Sequence, residues 1–158
     1  MGGSFMKLAE ALILRSDYQK RVEQLRNRLS QNARVQEGDL PNEEPQVLME
    51  ELTEILVKLK SLIQNINRTN IHTPYDQSQS LADALTSRDL IGQERTIYSD
   101  LLGQATIRHD RYSRSEIKYV SMIDVKETQK FVDELSQRYR TLDVKIQELN
   151  WKTELMER

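Results

Sequence analysis

The sequence predicts an all-α fold: an antiparallel four-helix bundle of long, coiled-coil-like helices, with a short extended segment before the last of them. Aliphatic residues recur at alternating three- and four-residue steps in four separate stretches, which places each set on one helix face. Proline is scarce, and its 3 copies fall at or between the ends of those stretches. Charged residues make up 30% of the chain against 37% hydrophobic ones, a polar balance suited to long helices that expose much of their sides.

The first helix is predicted from about Lys7 to Gln36, with Leu8, Ala11, Tyr18, Val22, Leu25 and Leu29 on its apolar face. Gly38, Pro41 and Pro45 then interrupt it, since proline cannot continue a helix and glycine commonly ends one. The second helix is predicted to start near Pro45, a residue tolerated in a first turn. Leu48, Leu52, Ile55, Leu59, Leu62 and Ile66 form a strict heptad seam. Leu56 and Ile63 widen that seam, as a helix touching two neighbours requires.

A connection from Asn70 to Gln79 contains Pro74. Ser80 followed by Asp83 resembles a capping box and starts a third helix that is predicted to reach about Ile107 through Leu81, Leu85, Ile91, Tyr98, Leu102 and Ala105. Gly92 and Gly103 lie inside it, at a cost of roughly 1 kcal/mol each against alanine, and close packing is the reading preferred to a kink. Arg88 and Arg95 fall close to its apolar face. Residues Ile117 to Ile123 read as the extended segment. Asp124 can cap the fourth helix, with Glu127 three residues on, and its seam runs from Val125 through Tyr139 and Ile146 to Thr153 and Met156 without a slip.

Residues 1–5, Met-Gly-Gly-Ser-Phe, read as an expression leader before Met6, and residues 6–158 as a single helical-bundle domain. The 23 basic and 25 acidic residues nearly cancel, which gives no general electrostatic reason to bind nucleic acid or an anionic membrane. There is no cysteine, so disulfides and thiolate chemistry are excluded. No apolar run approaches the ~18 residues that span a bilayer, so a cytoplasmic location without membrane insertion is expected.

No catalytic constellation is found. A di-iron bundle uses Glu-x-x-His pairs, but the residues three before His72 and His109 are Thr69 and Thr106. The acids Glu43, Glu44, Glu50, Glu51 and Glu54 read as a solvated helix start favoured by the dipole. The expectation is a non-enzymatic protein with no metal and no cofactor.

Two polar clusters are candidate sites. Asn65, Asn67, Arg68, Thr69 and Asn70 end the second helix, and an up-down topology brings that end to Asn150 and Trp151; a structural hydrogen-bond network is preferred here to a ligand site. Trp151 sits off the fourth helix's seam, which suggests a second contact surface. The other cluster is Arg108, Arg111, Tyr112, Arg114 and Lys118. Guanidinium forks among aromatics suit phosphate or single-stranded nucleic acid. Ion pairing with the acidic connection from Glu37 to Glu44 is preferred, and nucleic acid is not the favoured partner.

Several stretches resemble a bacterial family labelled septicolysin-like, whose members are otherwise of unknown function. They are Met6-Lys-Leu-Ala-Glu-Ala-Leu-Ile-Leu-Arg15, Asn32-Ala-Arg-Val-Gln-Glu-Gly38, Ile66-Asn-Arg-Thr-Asn70, Arg111-Tyr-Ser-Arg-Ser-Glu-Ile-Lys118 and Ile146-Gln-Glu-Leu-Asn-Trp151. The resemblance implies a helical fold and supplies no catalytic residues. The leading expectation is therefore a self-associating structural or interaction protein, a homo-oligomer. The alternatives are a module for an anionic ligand, nucleotide or nucleic acid using the 108–118 segment, and a cytolysin, which only the family label suggests.

Overall fold

The computed structural model describes residues 6–107 and 117–157. The expected leader at residues 1–5 lies outside them. The chain is all-α, with helices α1 (Leu8–Gln31), α2 (Pro45–His72), α3 (Leu81–Ala105) and α4 (Val125–Lys152), and no strand occurs among the described residues. Residues 117–123, expected to be extended, lie outside any helix. The chain divides into two compact units, one of residues 1–74 with 148–158 and the other of residues 75–147.

In the first unit α1 and α2 pack antiparallel. Leu25, Leu48 and Ile55 are buried together, with Tyr18, Val22, Leu29 and Leu52 packed around them. These are the predicted seam residues of both helices. The helix start at Pro45 is as expected, because proline at the first helical position lacks only an amide hydrogen that would have no helical partner.

Helix α1 ends at Gln31, five residues short of the predicted Gln36. Asn32 stops it. Its buried carboxamide donates to the Arg28 carbonyl at 2.8 Å and accepts from the Glu43 backbone amide at 3.0 Å. The next turn of helix is thereby exchanged for a latch onto the segment entering α2. Arg28 reinforces the latch through Nε, 3.0 Å from a Glu43 carboxylate oxygen. Hydrogen bonding to Arg28 holds the Glu43 carboxyl below its ordinary pKa, and the same bond raises that of Arg28. Between them Gly38 turns the chain with φ +89°, a left-handed conformation that side chains resist.

Helix α4 also ends earlier than its heptads suggested. Thr153 and Met156 leave the helix, and the tail pairs with the chain entering α1. The Leu8 amide donates to the Thr153 carbonyl at 2.8 Å and the Leu155 amide to the Met6 carbonyl at 2.7 Å, which makes an antiparallel bridge between Lys7 and Glu154. Burying Leu8 and Leu155 while satisfying four backbone groups outweighs one more turn of helix. Thr69, fully buried near the end of α2, secures this tail: its hydroxyl donates to the Asn65 carbonyl at 2.7 Å and accepts the Met156 amide at 2.8 Å.

In the second unit α3 and α4 run antiparallel. Arg88 faces Asp143, Gly92 and Arg95 meet Tyr139, and Tyr98 stacks edge-on against Phe131. As residue numbers rise on α3, those of the partners fall on α4. The predicted caps are present: Ser80 Oγ accepts the Asp83 amide while Asp83 accepts the Ser80 amide, and Asp124 accepts the Glu127 amide.

The two helical glycines differ. A β-carbon at Gly92 would lie 3.0 Å from the Tyr139 ring, whereas at Gly103 it would meet nothing within 4 Å. Close packing thus accounts for Gly92 and not for Gly103. Gly92→Leu is expected to destabilise the protein by about 1–3 kcal/mol through overpacking, and Gly103→Ala to stabilise it by about 0.5–1 kcal/mol, both read from urea unfolding midpoints. Thr69→Val keeps the shape but orphans the Met156 amide. Its expected cost is about 1–3 kcal/mol, accompanied by faster hydrogen exchange at Leu155 and Met156.

Candidate functional site

The second unit carries a groove of about 660 Å³ lined by the turn that precedes α3, by α3 and by one side of α4. The turn supplies Tyr75, Asp76 and Gln79, α3 supplies Ser87, and α4 supplies Glu134, Gln137, Arg138, Thr141 and Leu142. The helical residues recur at three- and four-residue steps, so they share one strip of α4.

The turn is held by its own hydrogen bonds. One Asp76 carboxylate oxygen accepts the Ser78 and Gln79 amides, both at 2.8 Å, and the Tyr75 amide donates to the Gln79 carbonyl at 2.8 Å. Those amide donors, the Ser78 backbone amide first, keep the Asp76 carboxyl below its ordinary pKa against the opposing effect of burial, with Lys145 adding to them. The Lys145 ammonium lies 4.3 Å from the Tyr75 ring centroid, an attraction to the ring face that ties the turn to α4. Desolvation, and then the charge of Asp76, raises the Tyr75 phenol pKa, so it remains a neutral hydrogen-bonding group.

Behind the groove, Arg88 fixes α3 against α4. Its side chain is 19% exposed, with Nη1 2.8 Å from Asp143 and Nε 3.1 Å from Asp89. Burial opposes its charge, but hydrogen bonds to the two aspartates outweigh that and raise its pKa. Arg95 lies 5.3 Å from the Tyr139 ring centroid. Both arginines that the sequence placed near the apolar face are thus structural ties.

Of the basic cluster, Arg108, Arg111, Tyr112 and Arg114 lie outside the described residues, while Lys118 is exposed ahead of α4. Glu43, in the connection expected to meet them, is paired with Arg28. In the asparagine cluster, Asn67 is exposed, Asn70 half-buried, and Arg68 Nη1 donates to Asn65 Oδ1 at 2.8 Å within the same helix. Asn150 is 5% exposed and Trp151 57% exposed. No hydrogen bond among the described residues joins Asn67, Arg68 or Asn70 to Asn150 or Trp151; the end of α2 meets the chain beyond α4 through Thr69 and Met156.

The groove was missed from sequence because Glu134, Gln137, Arg138 and Thr141 lie off the α4 seam and read as solvated positions. The signal that could have found it is the aromatic Tyr75 within the polar connection before Ser80. Among the described residues no three His, Asp or Glu side chains are grouped to hold a metal ion.

A family model, described as a family of unknown function (DUF6847), matches residues 15–155. The chain belongs to the DUF6847 family. A crystal structure from Corynebacterium diphtheriae, titled as a functionally unknown conserved protein, is 48% identical and superimposes with a TM-score of 0.91. The match covers 97% of this chain and 100% of that one. A search of curated proteins gives no match. Neither the DUF6847 model nor that structure carries the septicolysin name to which the sequence resemblance pointed.

The Asp76 turn has a predictable pH response. A lowered folded pKa means that its contribution is present above the unfolded carboxylate value and is lost as pH falls through the folded one. The Ser78 and Gln79 amide resonances are expected to hold steady through the ordinary carboxylate range and to shift only at lower pH, together. Titration of both at the ordinary aspartate pKa would contradict the hydrogen-bonded turn.

Proposed function

We propose that this DUF6847 chain is a non-enzymatic interaction protein that associates with a second copy of itself through the outer face of α3. The supporting observation is an uncovered apolar row. Leu90, Ile97 and Leu101 are 58%, 58% and 40% exposed, and at 100° per residue they lie within about 40° of one another on the helix surface. Their steps of seven and four residues are those of a helix-packing seam, yet α4 packs on the other side of α3 through Arg88, Gly92 and Tyr98.

The charges beside the row bear on its occupant. Asp83 and Asp100 are exposed near it, while the α3 cations Arg88 and Arg95 are turned to α4. A fitting partner is therefore a helix with apolar residues flanked by bases. The outer face of α4 offers one exposed apolar residue, Val144, beside Lys130 and Arg140, with Asp133 on the same strip, so a second copy can supply a predominantly basic rim to the acids of α3.

The anion-binding and lytic alternatives have less in support. Lys118 is the described residue of the basic segment, and no helix among the described residues is long and apolar enough to cross a membrane.

Sedimentation velocity tests the proposal. The wild-type protein is expected to sediment as a dimer or larger species at micromolar concentration, and Leu90→Glu with Ile97→Glu to sediment as a monomer with an unchanged helical circular dichroism spectrum. A wild-type monomer across that range would overturn self-association. An oligomer indifferent to the double substitution would place the interface elsewhere and overturn the role of α3.

A further inference from the structure

We infer that the groove of the second unit is a binding site for a neutral polyhydroxylated ligand of mono- or disaccharide size. Three features lead to this class. The first is the charge of the walls. Glu134 and Asp76 are set against Arg138 on the same strip, so the walls carry both signs and favour neither a simple anion nor a simple cation. Glu134 and Arg138 stand one helical turn apart on α4, yet no ion pair joins them, and among the described residues no carboxylate pairs with Arg138. A guanidinium fork and a carboxylate are thus both free to take up hydrogen bonds, the one as donor and the other as acceptor.

The second feature is the remainder of the lining. Gln79, Gln137, Ser87, Thr141 and the Tyr75 phenol each carry groups that can both donate and accept. Hydroxyl groups are the ligand chemistry that answers such walls, because each can reverse its role from one contact to the next. Vicinal hydroxyls match the two oxygens of Glu134 and the fork of Arg138. Leu142 and the Tyr75 ring give the apolar contact that the C–H face of a sugar ring requires.

The third feature is rigidity. Tyr75 is held by its hydrogen bond to Gln79 and by Lys145 against its ring, and the α3 wall by Arg88 on Asp143. The turn and the α3 wall thus need no ordering when a ligand arrives, and the cost of ordering falls on the exposed α4 side chains, Glu134, Gln137 and Arg138. The volume of about 660 Å³ lies within the range of small-molecule sites, ~300–1,000 Å³.

The test is an amide NMR titration of the full chain with glucose, maltose and trehalose, and with glutamate and inorganic phosphate as charged probes. At least one saccharide is expected to give saturable shifts at Gln79, Arg138 and Thr141. Arg138→Ala and Glu134→Gln are each expected to weaken binding about tenfold with the remaining spectrum preserved; both side chains are exposed, so the fold tolerates their loss. Leu90→Glu with Ile97→Glu is expected to leave the saccharide shifts intact, since neither residue lines the groove. No saturable shift with any of the three saccharides, shifts outside the groove, or preferential binding of glutamate or phosphate there would overturn the inference.

Discussion

Register between antiparallel helices decides which faces of this protein meet and which stay open. A heptad seam is repetitive, so sliding one helix past its neighbour by seven residues preserves most apolar contacts. What such a slide cannot preserve is a contact between unique groups. In the second unit Gly92 admits the Tyr139 ring, Arg88 reaches Asp143, and Tyr98 stacks on Phe131. In the first, Asn32 and Arg28 fix the chain entering α2 through Glu43. Apolar burial supplies the bulk of the folding energy, but these few off-pattern groups select one alignment from several of similar burial.

The groove is a consequence of that alignment. Its α4 wall lies near Asp143 and Tyr139, the residues that lock α4 to α3, and its turn is tied to the same helix by Lys145 against Tyr75. A heptad shift would carry Arg138 and Thr141 about 10 Å along the helix axis, away from Tyr75 and Gln79. The outer row of α3 depends on register in the same way, since Leu90 and Ile97 face outward because Arg88 and Gly92 face inward. Folding contacts and candidate binding faces are thus two sides of the same helices.

What the sequence made legible follows from the range of the interaction concerned. Seam residues such as Leu25, Leu48 and Ile146 are set by local periodicity and are buried as read. Caps at Ser80 and Asp124 and the start at Pro45 are likewise local. The ends of α1 and α4 were not legible, because Asn32 answers to Glu43 eleven residues away and Leu155 to Met6 at the far end of the chain. Periodicity continues through both ends with no sign of these competitors. The groove escaped for a related reason: exposed Glu134, Gln137 and Arg138 look like any solvated strip until the Tyr75 turn is placed opposite them. The basic segment around Arg111 was conspicuous by composition, and composition alone does not place a side chain.

The most direct measurement of the register is a nuclear Overhauser spectrum of the unmodified protein, observed at the Gly92 α-protons. Cross-peaks to the aromatic protons of Tyr139 are required by the alignment described. Cross-peaks instead to the methyl groups of Val132 or Ile146, the residues one heptad to either side, would contradict it and remove the basis for both the groove and the outward row of α3.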